Sequence, residues 1–260
     1  MLKKISIVPS LILFAAMTSY AGGPDIDTSS PIPKGFAITF INAGFGEIIA
    51  NNAATFNGAT TTQTFDQSSS NGIVPLGAGI SYMYMMPISR NNVFEINLNA
   101  AYIFSGKNIT NYTVDENVAP SGVPVSIMQQ NNLLMKSALL FNFKHFFLPS
   151  NQFDIFFGLG PGLAYFKDTF TSMSVTTQAR LNKGTHGEWV FGGDMNVGID
   201  YWLSKRVFTT LLFDNALFLS KNLKAVYNVD PDAPTNTATV TNRSVKLYVP
   251  TVMLALSIKL

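Results

Sequence analysis

The sequence holds no cysteine among its 260 residues, which excludes structural disulfides, a lipoprotein anchor and thiolate-bound zinc together. Charge is scarce: Asp, Glu, Lys and Arg make up 12%, about half the usual share of a soluble domain, so an ordinary cytosolic enzyme fits poorly. Long hydrophobic runs are missing too. No window approaches the roughly 18 consecutive apolar residues of a membrane-spanning helix, although 47% of the chain is hydrophobic. What is present is abundant apolar character dispersed at short range.

Residues 1–21 have the composition of a signal peptide. Lys3 and Lys4 form a positive start, an apolar stretch runs from Ile5 to Met17, and Ser19-Tyr20-Ala21 is a small-x-small cleavage site, so export is expected. Loss of that segment takes away two of 17 basic residues and leaves 15 of each sign, so the chain offers no electrostatic case for nucleic acid. Residues 22–34, with three prolines, read as an extended leader on the periplasmic side.

From Gly35 onward the apolar residues alternate with polar or small ones. Over 189–203, Trp189, Phe191, Met195, Val197, Ile199, Tyr201 and Leu203 share one parity, while Gly192, Asp194, Asn196, Gly198 and Asp200 share the other. A helix would mix these two sets; a strand separates them. The same template fits 35–46, 73–86, 93–104, 132–147, 153–166, 206–219 and 245–259, giving eight expected strands. Their connections alternate strictly between short (87–92, 148–152, 204–206) and long (47–72, 105–131, 167–188, 220–244), so all long loops fall at one end.

Alternation does not say which face is wet, but strand length does. Soluble strands usually run about five or six residues, whereas these run about 12 to 15, enough at a tilt near 40° to cross an apolar band of roughly 25 Å. The polar parity collects many glycines with Glu95, Lys136, Lys144, Asp154, Asp194, Asp200 and Asp214, a set suited to the crowded interior of a narrow barrel. Trp189, Trp202, Tyr82, Tyr84, Tyr102, Tyr165, Tyr201, Phe147 and Phe153 lie near strand ends, where membrane barrels carry interfacial aromatic girdles. Hydrocarbon offers no partner to a free N–H, so such a sheet must close. The expected fold is all-β, a closed eight-stranded antiparallel up-and-down transmembrane barrel over 35–260, with short periplasmic turns and four long extracellular loops.

On these residues the chain resembles the small eight-stranded bacterial outer-membrane barrels of the OmpA transmembrane-domain, OmpX and opacity-protein type. Its end, Leu254, Leu256, Ile258 and Leu260, has the alternation of their assembly signal, with leucine where that group usually ends in an aromatic residue. The resemblance implies the bacterial outer membrane, with its lipid and lipopolysaccharide as partners, and no cofactor.

The inward charges allow two readings. Five carboxylates and Lys136, Lys144 and Lys259 can pair into a plug, or they can line a narrow path for ions or small solutes; an eight-stranded barrel is about the size that its own side chains fill. Lipid-modifying barrel enzymes use a His-x-Ser pair. Here His145 precedes Phe146-Phe147 and His186 precedes Gly187-Glu188, and eight strands fall short of the ten-stranded omptin scaffold, so no enzyme is expected. Lys183, His186, Lys221, Lys224 and Arg243 can meet lipopolysaccharide phosphates or act as solubilising charges. Asn108-Ile109-Thr110, Asn111-Tyr112-Thr113 and Asn242-Arg243-Ser244 match a glycosylation pattern that, in a bacterial chain, is plain loop composition. The leading expectation is a surface-exposed structural or adhesion-type protein whose long loops contact a host or surface ligand.

Overall fold

The computed structural model describes residues 32–57, 62–70, 72, 74–103, 107–114, 125–147, 152–174, 180–221, 225–226 and 239–260. The signal segment and nearly all of the leader lie outside the described residues. The strands are β1 (Gly35–Gly46), β2 (Ile49–Asn57), β3 (Thr62–Ser70), β4 (Val74–Pro87), β5 (Asn92–Ile103) and β6 (Lys107–Val114). They continue with β7 (Val125–Phe146), β8 (Phe153–Ser174), β9 (Arg180–Trp202), β10 (Val207–Lys221), β11 (Ala225–Val226) and β12 (Thr239–Lys259).

Antiparallel ladders join β1-β4-β5-β7-β8-β9-β10-β12, and β12 returns to β1 with Ala37 opposite Lys259 and Gly46 opposite Thr251. Eight strands thus close into a barrel and leave no edge in its lower half. The short connections are tight. Leu203 N–H and Ser204 N–H both donate to Val207 O, and Ser204 Oγ accepts from Val207 N–H at 3.0 Å, a serine turn that the SKR sequence encodes.

The faces are inverted relative to a soluble barrel. Phe191 is 75% exposed, Val197 49% and Ile199 45%, while Asp194 and Asp200 on the other parity are 4% and 0% exposed. Apolar side chains cover the outside and carboxylates are enclosed, an arrangement that is stable only where the outside is lipid. From Phe153 to Tyr165 on β8, the belt is about 30 Å tall at 3.3 Å per residue and a 40° tilt, the thickness of a hydrocarbon core. The chain is a membrane-spanning β-barrel of the outer-membrane type.

The expected long loops are largely strand. Above Gly46, β12 exchanges β1 for β2, pairing Tyr248 with Ile49 and Thr239 with Asn57; β2 pairs β3, and β6 pairs β7 from Lys107–Asn132 to Val114–Val125. Strands β2, β3 and β6 therefore take the places of β1, β4 and β5 in an upper storey that continues the cylinder. β8, at 22 residues, is about 55 Å long along the barrel axis, roughly twice the apolar band. The apolar alternation stops at the membrane boundary because both faces of the upper wall meet polar surroundings. The strand continues, but the signal that marks it does not. The remaining parts of those expected loops, which include 58–61, 115–124, 175–179 and 227–238, lie outside the described residues.

β3 and β6 stand side by side without a backbone ladder among the described residues. Side chains bridge them: Ser69 Oγ and Thr110 Oγ1 are 2.7 Å apart, and Gln63 Nε2 donates to Thr113 O at 3.4 Å.

Candidate functional site

The inward face is stratified. At the short-turn end Ala37, Met83, Met85, Val93, Phe146, Trp202 and Phe208 form an apolar plug, with Ile32 of the leader packed beneath it. Near the top of the apolar belt a second plug gathers residues that include Ile48, Ile103, Leu133, Phe166, Val190, Phe218 and Leu247. Phe166 and Phe218 are 1% and 0% exposed, so large rings fill the bore there. The polar chamber lies between the plugs.

Within that chamber the charges sort into two clusters. Lys144 Nζ lies 2.8 Å from Glu95 Oε2 and 2.5 Å from Asp200 Oδ2, and it approaches the Phe156 and Phe208 rings at 4.9 and 5.6 Å. Around it, Thr210 Oγ1 donates to Asp200 Oδ1, Asn142 Nδ2 donates to Glu95 Oε1, and Trp202 Nε1 donates to Asp154 Oδ2. In the second cluster Lys136 Nζ pairs with Asp214 and with Asp194 Oδ2, the latter at 3.0 Å. A charge moved from water into low dielectric is costly unless it is paired and hydrogen-bonded, so each ammonium is tied to several strands through its carboxylates. A small cavity lined by Asn42, Gly44, Gly77, Gly79, Thr251 and Lys136 borders the second cluster, where glycines on β1 and β4 leave the wall without side chains. A Cβ on Gly77 would fall 1.9 Å from Tyr102 O, so this part of the wall is built for backbone contact.

All seven charged residues singled out from the sequence face this lumen, and the two clusters bring together Glu95, Asp154, Asp200 and Lys144, and Asp194, Asp214 and Lys136. Lys259, opposite Ala37 at the short-turn rim, belongs to neither. Asn142, Asn196 and Thr210 were passed over because they carry no charge; their parity, shared with Lys144, Asp194 and Asp214, was the available signal.

Aromatic residues occupy two levels of the outer face. Near the short-turn end Phe36 stacks on Tyr82 and meets Tyr84 at a tilt, and Phe153 and Tyr201 form a tilted pair with rings 4.7 Å apart. Tyr102 and the Tyr165–Trp189 pair lie toward the other end, and exposed Phe147 packs edge-on against His145. Trp202 corrects the expectation from strand-end position. It is 5% exposed, points inward and stacks on Phe208 at 4.4 Å. Its even number gives it the parity of Asp194 and Asp200, and parity governs where a side chain points.

The histidines do not assemble a nucleophile pair among the described side chains. His145 Nδ1 lies 2.8 Å from Asn92 Oδ1 at the short-turn rim; His186 sits on β9 opposite Asp168, and its side chain lies outside the described residues.

The barrel is similar to several solved outer-membrane structures. Ail of Yersinia pestis aligns over 86% of this chain and 99% of its own with 7% identity and a TM-score of 0.33. OprG of Pseudomonas aeruginosa aligns over 87% and 97% with 11% identity and a TM-score of 0.39, and the protease OmpT of Escherichia coli over 90% and 100% with 10% identity and a TM-score of 0.33. No family model matches the chain, and no curated protein does. At such distances the assignment stands on the closed ladder and the inverted faces themselves.

Proposed function

We propose that this chain is a bacterial outer-membrane protein, exported on residues 1–21, in which a sealed barrel anchors a β-walled tower that meets surface ligands. The observation that carries the reading is the pairing of a filled bore with overlong strands. Phe166 and Phe218 occupy the lumen near the top of the belt, yet β8 and β9 run on for about nine residues beyond Tyr165 and Trp189. A wall that long contributes nothing to spanning lipid; it carries the upper ends of its strands well beyond the membrane. Lys167 and Lys246 are exposed on the outward parity, two residues beyond girdle Tyr165 and exposed Tyr248 on their own strands, placed to meet lipid phosphate groups. Lipopolysaccharide is the lipid partner this placement favours. The two plugs also weigh against the alternative of a narrow channel, and among the described residues the partner of His145 Nδ1 is the Asn92 carboxamide rather than a hydroxyl.

Planar-bilayer recording of the refolded protein is the test. Sealed single barrels are expected to add no steady conductance; a steady current that changes on Lys136→Met would replace the anchor reading with the channel reading. Removing 227–238 is expected to leave a heat-modifiable folded barrel and to weaken attachment of whole cells to a ligand-coated surface.

A further inference from the structure

The lumen has too little positive charge for its oxygens. Five buried carboxylates, Glu95, Asp154, Asp194, Asp200 and Asp214, face two ammonium groups, Lys136 and Lys144. Ion pairs and hydrogen bonds reach some of those oxygens and leave others. Asp154 Oδ1, Asp194 Oδ1 and Asp214 Oδ1 have no partner, and neither do the amide oxygens Asn142 Oδ1 and Asn196 Oδ1. Every one of these orphaned atoms is an acceptor. A buried acceptor without a partner is costly, and more so when charged, so the excess needs a counterpart that is positive or donates protons.

Strand register places several of them in one row. Asn142 on β7 stands opposite Gly158 on β8, Gly158 opposite Asn196 on β9, and Asn196 opposite Asp214 on β10. Glu95 extends the row on one side and Thr251 on the other. Gly158 opens the space at its centre. A Cβ there would lie 1.7 Å from Asn142 Oδ1 and 2.4 Å from Asn196 Oδ1, so both carboxamide oxygens, on residues 1% and 2% exposed, lean over the same missing side chain. Asn142 is fixed in that sense because its Nδ2 donates to Glu95 Oε1 at 2.7 Å, which turns the oxygen away toward Gly158. Asp214 divides its oxygens: Oδ2 goes to Lys136, and Oδ1 has no hydrogen-bond partner.

We propose that this row binds a calcium ion inside the barrel, held by Asn142 Oδ1, Asn196 Oδ1 and Asp214 Oδ1 over Gly158. Calcium takes six to eight oxygen ligands in flexible geometry and accepts carboxylate and amide oxygen alike, whereas magnesium demands a tighter octahedron and keeps its water. Among the described residues no three of His, Asp or Glu converge on one point, so carboxamides supply the donors that extra carboxylates supply elsewhere. One divalent ion offsets two of the three uncompensated charges. Because a plug lies above and below, the ion enters as the barrel closes and is then retained.

The full chain is refolded into detergent with calcium, passed through a sizing column in a chelating buffer, and assayed for metal per folded barrel. About one equivalent of calcium is expected in the wild type, falling about tenfold or more in folded Asn196→Val and in Asp214→Asn, which keeps the shape of the side chain. Folded wild type with under about a tenth of an equivalent overturns the proposal and leaves protons to balance the carboxylates. Equal retention by both variants also overturns it, because the ion then sits elsewhere. If Asn196→Val does not fold, Asp214→Asn and the wild-type stoichiometry decide the matter.

Discussion

The lower and upper storeys are built from the same strands and answer to different solvents. In the lower storey the outward positions between the girdles are apolar with few exceptions, such as Ser137 and Asn215, and the charged set is inward; in the upper storey Thr64, Asp66, Ser68 and Ser70 of β3 face out, and Asn52, Gln129 and Asn131 face in, hydrogen-bonded to one another. Lipid cannot satisfy a backbone group, so the lower wall closes completely. Water can, so the upper wall tolerates the β3–β6 seam, bridged by side chains such as Ser69 and Thr110. Closure is a requirement of the environment rather than of the sheet, and the same β7 obeys both rules along its 22 residues.

Mutations at matched positions test this contrast. The largest effect is expected from Lys144→Met, which leaves Glu95 and Asp200 without their cation in the lower lumen. Urea unfolding in lipid is expected to show a loss of about 3–5 kcal/mol, or no folded protein. If Lys144→Met were to unfold at the wild-type midpoint, the lower cluster would hold no stability. Next comes Met195→Arg, outward at the middle of the belt, for which about 2–4 kcal/mol is expected; Thr64→Arg, outward in the tower, is expected to change stability by less than about 0.5 kcal/mol. Equal costs at the two positions would mean that the belt does not face lipid. The two tryptophans sharpen the comparison further. Trp202→Phe removes the Nε1 donor of Asp154 and is expected to cost about 1.5–3 kcal/mol, while Trp189→Phe on the outer face is expected to stay within about 1 kcal/mol, both read from unfolding in liposomes. A more local effect is expected from Ser69→Ala at the seam, about 0.5–1.5 kcal/mol, accompanied by faster proteolysis of β3 with the barrel intact.

Much of the lower storey was legible because period-two alternation and the lipid boundary coincide. The eight strands, their closure and the inward parity of Asp194, Asp200 and Lys144 follow from that one pattern. Strand β10 blurred it because Leu212 points inward beside outward Leu211 and Phe213, and because Phe208 and Phe218 serve the two plugs from the inward face. The upper storey was not legible. In β2, β3 and β6, both faces carry Asn, Thr, Gln and Ser, so a composition that reads as loop folds as strand by continuing a ladder already begun below. Trp202 carries two opposed signals: its position near a strand end suggests the girdle, while its parity places it inside.

The sequence by itself determined the period, the side of the sheet that must meet hydrocarbon, and therefore the need to close, since these depend only on neighbours along one strand. Tertiary structure alone decided which carboxylates share Lys144 and which share Lys136, where aromatic rings block the bore, and that Asn142, Gly158, Asn196 and Asp214 fall in one row. Those outcomes depend on the register between strands, and register is a relation among distant segments that alternation within any one of them does not contain.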